Sequence, residues 1–220
     1  MENTNMLNRR NWTIVAGGLA ITLAQVLTGV AFAADEAPDA MIKRLSTEVL
    51  EDIKADKTIR AGDVTKIVTL VDSKIMPNVN FQRMTASAVG PGWRQASPEQ
   101  QQKLQDEFKI LLVRTYAGAL AQVSDQEITV KPQRSAAEDK EVIVRTEVRG
   151  RGDPIQLDYR LEKTPGQGAG WKIYNLNVLG VWLVETYRSQ FAQEINAKGI
   201  DGLIATLSER NKTNSNAKKT

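Results

Sequence analysis

The stretch GVWLVETYRSQF, residues 180 to 191, places side chains that could do nucleophilic chemistry directly after a predicted strand. Ser189 is a potential nucleophile, and Tyr187 and Arg188 are its neighbours. A serine nucleophile needs a base that activates it and donors that stabilise the oxyanion. No recognisable base lies near Ser189 in the sequence. We therefore interpret the aromatic residues of this stretch as core or as the wall of an apolar ligand site.

The composition excludes most other catalytic chemistry. The chain contains no histidine and no cysteine, which excludes Ser-His-Asp and Cys-His catalysis, Cys/His zinc sites and disulfides. Asp158 and Glu162 could form the paired carboxylates of a hydrolase. They alternate with Arg160, however, and an ion-pair ladder across strands is the simpler interpretation. We predict that the protein is not an enzyme and has no catalytic residues and no metal site.

The N-terminal segment has the three parts of a secretory signal. Arg9 and Arg10 precede a largely apolar run at residues 12–32, and Ala-Phe-Ala at residues 31–33 supplies a cleavage site. An uncleaved membrane anchor is the alternative, since the run is about long enough to span a bilayer. We predict a cleaved signal peptide at residues 1–33 and a periplasmic location.

The remaining chain has the length of one domain and a nearly balanced charge. Removal of residues 1–33 takes away two arginines and one glutamate and lowers the formal net charge from +3 to +2. That balance does not favour nucleic acid as a partner. We predict a single domain at residues 34–210. Residues 211–220 are mostly Asn, Lys, Thr and Ser, which predicts a disordered polar tail.

Apolar residues at helical spacing mark the first half of this domain. They repeat every three to four positions in two segments, Ile42, Leu45, Val49 and Ile53, and then Val64, Ile67, Val68, Val71 and Ile75. Each segment is predicted to form a helix that buries one stripe, and Pro77 is predicted to end the second. A short helix at residues 81–89 is predicted to end at the Gly-Pro-Gly of residues 90–92.

A longer helix follows, with a recognisable start. Ser97 is placed as the N-cap, Pro98 as the first helical residue and Gln100 as the reciprocal partner in a capping box. Only two side chains of residues 110–121 are strongly polar. This apolar arc is too wide for one packing partner, so the second half of the helix is predicted to be buried on most sides or to line a cavity.

From about residue 126 the apolar residues recur at every second position. Residues 142–149 and 155–162 alternate between apolar and polar side chains, which is typical of strands with one dry face and one wet face. Together with residues 128–132 and 171–179, they predict an antiparallel meander of about four strands. Because helices precede the strands, the fold class is predicted to be α+β, with several helices covering the sheet.

The stretch at residues 180–191 begins a helix after the last strand. The apolar residues on one face of this helix recur every four positions and are Leu183, Tyr187, Phe191 and Ile195. Arg188 and Ser189 lie off that face, which further weakens the case for a nucleophile. Gly199 is predicted to end the helix before a last one begins.

Two blocks of the sequence, residues 81–120 and 187–207, carry a family pattern. Its elements are Phe81, Arg83-Met84, Gly90, Trp93-Arg94, the Ser97-Pro98-Glu99-Gln100 helix start, Phe108, Leu112, Tyr116, Tyr187-Arg188-Ser189-Gln190-Phe191 and Gly199. The pattern resembles that of the Mla-pathway periplasmic phospholipid-binding (MlaC) family, also called the toluene-tolerance auxiliary family. One position departs from it, because Trp182 stands where a serine is expected, and this affects the pocket shape at that end.

The resemblance implies a soluble carrier that has no cofactor and holds a phospholipid as cargo. The acyl chains would lie in an apolar cavity between a curved sheet and its covering helices, with the headgroup at the mouth. The implied partners are an outer-membrane lipoprotein-porin complex and the MCE-domain subunit of an inner-membrane ABC transporter. Transfer between them would maintain the lipid asymmetry of the outer membrane. We expect a monomer.

The residues expected to bind lipid are apolar and come from three elements. They are Val144, Val148, Ile155, Leu157, Tyr159 and Leu161 of the strands, Phe108, Leu111, Leu112 and Tyr116 of the long helix, and Val181, Trp182, Tyr187 and Phe191. Ordinary core packing is the alternative for each. Headgroup or partner contact is expected of Arg94, Arg145, Arg149 and Arg151, for which a solvated surface is the alternative.

Two other functions remain open from the sequence. The protein could be an adaptor with a solid core, whose surface docks transporter subunits and which carries no lipid. It could also be an enzyme with a cone-like pocket for a small hydrophobic substrate, although the absence of histidine argues against that function.

Overall fold

Helices form the first half of the fold and an antiparallel sheet the second, before a final long helix. The computed structural model describes residues 36–132, 136, 138–150 and 152–216, so the predicted signal peptide lies outside the described residues. The elements are α1 Pro38–Ala55, α2 Lys57–Arg60, α3 Val64–Leu70, α4 Phe81–Val89, α5 Pro98–Ala121, β1 Glu127–Val130, β2 Glu141–Arg149, β3 Ile155–Lys163, β4 Trp171–Val178, β5 Val181–Trp182 and α6 Leu183–Asn216. No helix in this part of the chain is both long and apolar enough to cross a membrane.

The sheet is an antiparallel meander, which confirms the predicted α+β class. Its strand order is β1-β2-β3-β4-β5, and β1 to β4 are the four predicted strands. The short strand β5 is absent from the prediction, because two residues cannot show a period. It pairs with β4 across a tight turn at Leu179 and Gly180, whose φ angles are 52° and 87°.

The start of α5 agrees with the predicted capping box. The backbone N–H of Ser97 donates to Oε1 of Gln100 over 2.9 Å, and the N–H of Gln100 donates to Oγ of Ser97 over 3.2 Å. Pro98 is the first helical residue. The polar residues of this turn therefore fix where the long helix begins.

Three apolar clusters hold the elements together. The first joins α4, α5 and α6, the second joins α1 to the sheet, and the third joins α1, α2 and α3 to the second half of α5. Val113 and Ala117 of α5 belong to the third cluster, while Leu112 and Tyr116 pack against the first. The wide apolar arc of α5 thus serves more than one packing partner, as predicted.

Between α3 and α4 the chain forms two short helical turns that are not α-helical. It forms a π-helical turn at Val71–Ile75 and a 3-10 turn at Met76–Asn78. The N–H of Asn80 then donates to the carbonyl of Ile173 over 2.8 Å, which ties the segment to β4. Single π-helical turns are rare and occur frequently at functional sites.

The last helix, α6, breaks where a helix end is predicted but extends into the predicted disordered tail. Gly199 has φ 71° and ψ −174°, so it breaks α6 where a helix end is predicted. The helix nevertheless continues to Asn216, so the first six residues of the predicted disordered tail are helical. Asn211 is buried there, and its Nδ2 donates to the carbonyl of Glu107 over 2.9 Å. A segment of polar composition can therefore pack against the rest of the fold when its buried polar group has a hydrogen-bond partner.

Candidate functional site

A cavity of about 320 Å³ lies between one face of the sheet and the covering helices. Pockets that bind small molecules span roughly 300–1,000 Å³, so this one has the size of a binding site. The strand residues that line it are Ile128, Val148, Leu157, Tyr159, Ile173 and Leu176. The dry face of the sheet, which the alternating pattern predicts, therefore forms one wall.

Helices and the π-helical turn form the remaining walls. Their lining residues are Leu45, Ser46, Val49, Leu50 and Ile53 of α1, Val71, Ile75, Met76, Val79, Phe81 and Met84 of the next segment, Lys109, Leu112, Val113, Tyr116 and Leu120 of α5, and Leu183 of α6. Three hydroxyl groups and one ammonium group interrupt an otherwise apolar lining. The cavity therefore suits a ligand whose buried part is apolar.

The hydroxyl group of Tyr159 is satisfied within the wall of the cavity. It hydrogen-bonds with the hydroxyl groups of Ser46 and Thr146, and burial raises the pKa of the Tyr159 phenol. Thr146 Oγ1 donates in turn to the carbonyl of Leu157 over 2.8 Å. The Tyr159 phenol therefore remains neutral near physiological pH.

Five of the fourteen residues expected to bind lipid line this cavity. They are Leu112, Tyr116, Val148, Leu157 and Tyr159. Two come from one face of α5 and three from the dry face of β2 and β3. Their contact with lipid stays a prediction, but the structure brings them to one site. Burial raises the pKa of Tyr116, which keeps that phenol neutral as well.

Four expected residues lie in the core between helices and do not line this cavity, so their contact with lipid stays a prediction. Phe108, Leu111, Tyr187 and Phe191 are buried between α4, α5 and α6. The ring centroid of Phe108 lies 4.9 Å from that of Tyr187 and 5.2 Å from that of Phe191, both in edge-to-face contact. These rings therefore pack against each other in the contact between α5 and α6.

The other five expected residues also lie away from the cavity. Val144 and Leu161 are fully buried under α1. Ile155 and Val181 are 41% and 51% exposed at the end of the sheet where β3 and β5 begin. Trp182 lies on the outer face, where the guanidinium carbon of Arg160 is 4.0 Å from its ring centroid. The residue that departs from the family pattern therefore does not line the cavity.

Three of the arginines expected to contact a headgroup, Arg94, Arg145 and Arg149, do not line the cavity. Arg94 and Arg145 are exposed, and Nη2 of Arg149 lies 2.9 Å from Oε2 of Glu147. Arg151 lies outside the described residues. A headgroup contact of Arg94, Arg145 or Arg149 inside the cavity is therefore not supported, and contact of the four arginines with a partner stays a prediction.

The side chains with catalytic potential form hydrogen bonds and ion pairs within the fold. Ser189 is exposed, and its Oγ donates to the carbonyl of Glu185 over 3.5 Å. The carboxylate of Glu162 accepts hydrogen bonds from the side chains of Asn80 and Arg83. Arg160 donates a hydrogen bond to the carboxylate of Glu185. The expected ion-pair ladder across neighbouring strands is therefore wrong in detail, because these partners come from helical segments. Among the described residues, no cluster of three potential ligands could hold a metal ion.

Sequence reasoning missed the contribution of α1 and of residues 71–84. Their apolar stripes predict burial, but burial against another helix and exposure to a cavity have the same pattern. One signal was available in α1, where Val49 and Leu50 are adjacent and widen the stripe. Lys109 gave no signal, since a single lysine within a helix is usually solvated.

Apolar side chains around a space with few polar groups define a protein whose cavity is suited to an apolar ligand. The family model described as MlaC protein matches residues 43–209. The chain therefore belongs to the MlaC family.

Individual relatives agree with that membership. The intermembrane phospholipid transport system binding protein MlaC of Haemophilus influenzae is 24% identical over 207 residues, covering 93% of this chain and 95% of the relative. The toluene tolerance protein ttg2D of Pseudomonas putida is 30% identical over 193 residues, covering 86% of each chain. A solved structure at 1.53 Å resolution shows the phospholipid-binding protein from Ralstonia solanacearum in complex with a phospholipid. It is 48% identical with a TM-score of 0.77, covering 80% of this chain and 98% of that chain.

Proposed function

We propose that the protein is a carrier that holds the acyl chains of a phospholipid in the cavity and shuttles the lipid between membranes. The apolar lining of the cavity is the observation that carries this proposal. Each methylene moved out of water contributes roughly 0.8 kcal/mol, so a chain of about fifteen methylenes gains on the order of 12 kcal/mol. This gain requires no catalytic group, and we propose that the protein has no enzymatic activity.

The relatives support the cargo and the route. The name of one assigns it to an intermembrane phospholipid transport system, and another holds a phospholipid. We propose that this chain works as a monomer in the periplasm, which the predicted signal peptide supports. Its proposed partners are an outer-membrane lipoprotein-porin complex and the MCE-domain subunit of an inner-membrane ABC transporter. Transfer between them would maintain the lipid asymmetry of the outer membrane.

A pair of tryptophan substitutions on one strand tests the proposal. Val148→Trp adds bulk on the face of β2 that lines the cavity, whereas Ile143→Trp adds it on the opposite face. Lipid-free wild type and variants are incubated with phospholipid vesicles, separated from them, and analysed for bound lipid by mass spectrometry. We expect V148W to lose most of the bound phospholipid and I143W to match the wild type.

Circular dichroism and urea unfolding establish that both variants are folded before the comparison is made. Equal uptake by the two folded variants would contradict the cavity as the cargo site. A folded wild type that takes up no phospholipid would contradict the carrier function and favour the adaptor function.

A further inference from the structure

One charged pair lies at the boundary between the cavity and the solvent. Lys109 of α5 lines the cavity, and its Nζ is 2.8 Å from Oδ1 of Asp72. Asp72 belongs to the π-helical turn, between the lining residues Val71 and Ile75. The side chain of Lys109 is 25% exposed and that of Asp72 is 46% exposed. The Lys109 side chain therefore borders the apolar cavity and is also partly in contact with water.

From this position we infer that Lys109 binds the phosphate group of the phospholipid cargo, an inference that rests on the proposed function. A phospholipid in the cavity must have its chains among apolar side chains and its phosphate where the cavity meets water. An ammonium group at that boundary is the natural counter-ion of the phosphate. Lys109 is the single cationic side chain among the lining residues that the structure describes.

The contact with Asp72 is compatible with phosphate binding. A lysine ammonium group has three donors, and Asp72 uses one of them in the ion pair. The carboxylate therefore holds the ammonium group at the boundary while two donors stay available to phosphate oxygens. Its negative charge also opposes the incoming phosphate, so removal of that charge should favour binding.

The chemistry of a lysine also defines the class of cargo. An ammonium group acts as a point charge and lacks the bidentate geometry of a guanidinium group. Lys109 therefore recognises the phosphate that glycerophospholipids share and makes no distinction among the groups attached to it. The expected ligand class is any glycerophospholipid, in preference to a neutral lipid with the same chains.

Two fluorescent probes with identical acyl chains isolate the contribution of the phosphate group to binding affinity. One is a phosphatidylcholine with a pyrene-labelled acyl chain, and the other is the diacylglycerol with the same labelled chain. Lys109→Met should weaken binding of the phosphatidylcholine about tenfold, the effect of losing a charged hydrogen bond, and leave the diacylglycerol unchanged. Lys103→Met, at an exposed lysine of the same helix, is the matched control and should change neither affinity.

Variants of the pair separate phosphate binding from a purely structural ion pair. Asp72→Asn should bind the phosphatidylcholine at least as tightly as the wild type, and Lys109→Arg should retain most of the affinity. If the pair is only a connection between α5 and the π-helical turn, D72N and K109M will weaken both probes alike. That result, or an unchanged affinity of K109M for the phosphatidylcholine, would overturn the inference.

Two further arms complete the experiment. Inorganic phosphate is titrated into lipid-free protein and followed by NMR, and we expect no saturable binding, because no acyl chain contributes. Saturable binding of inorganic phosphate that K109M abolishes would overturn the assignment to a lipid headgroup. If the wild type binds neither fluorescent probe, the proposed carrier function itself fails, and this outcome is visible without any variant.

Discussion

Arg83 is the side chain that connects α4 to the outer face of the sheet. Glu141 and Glu162 lie directly opposite each other on β2 and β3, and like charges in such positions are destabilising. Arg83 donates to both carboxylates, with 2.5 Å between its Nη2 and Oε1 of Glu141. Its guanidinium carbon lies 3.7 Å from the ring centroid of Tyr174, whose hydroxyl also donates to Glu141. A single cation thus offsets the repulsion between two strands.

The pH dependence of stability tests this role of Arg83. The hydrogen bond from Arg83 lowers the pKa of Glu141. The interaction therefore stabilises the fold above the unfolded-state pKa of about 4.3 and is lost as the pH falls through the lowered folded-state pKa. Glu141→Gln should cost up to about 1 kcal/mol at neutral pH, because the pair is partly exposed, and should cost little at acidic pH. Urea unfolding of both proteins across this pH range measures the difference.

Glu51→Gln, at an exposed carboxylate of α1, is the control and should have little effect at any pH. A cost of E141Q that stays the same from neutral to acidic pH would attribute the loss to packing and not to charge.

At the scale of elements, the turn between β4 and β5 is strained. Leu179 and Gly180 both have positive φ, which is the geometry of a type I′ turn. Such turns favour Asn-Gly, and the left-handed conformation costs an ordinary residue roughly 1–2 kcal/mol. Leu179 is also 64% exposed, so it recovers little of this cost by apolar burial. The N–H of Gly180 donates to Oδ1 of Asn177 over 2.8 Å, which helps to hold the turn.

Replacing Leu179 with a residue that tolerates positive φ should therefore stabilise the protein. We expect Leu179→Asn to raise the free energy of unfolding by about 1 kcal/mol, because asparagine tolerates the left-handed region. Urea unfolding measures the change. Leu179→Ala keeps a β-carbon at the strained position and should stay within about 0.5 kcal/mol of the wild type. Equal stability of L179N and L179A would show that backbone strain is not the cause.

At the scale of the whole molecule, local signals predicted the architecture well. The meander follows from alternation in β2 and β3, the start of α5 from the Ser97 capping box, and the break in α6 from Gly199. Each of these features depends on a few neighbouring residues. A sequence of this kind therefore defines the order and class of its elements before any tertiary contact is known.

The cavity could not be predicted in the same way. Phe108 and Leu112 are one turn apart on α5, yet Phe108 is fully buried in the core and Leu112 lines the cavity. Whether space between elements is filled depends on side chains from distant segments. The same limit explains Lys109, whose significance comes from the π-helical turn that places Asp72 opposite it.

The proposed carrier function is tested most directly by the lipid content of the protein as it is made in cells. The mature chain is purified without detergent, denatured and extracted with solvent, and its lipids are identified by mass spectrometry against a mock purification. We predict near-stoichiometric phospholipid in the extract. A protein that is folded, reproducibly free of lipid and unable to take up phospholipid from vesicles would contradict the carrier function.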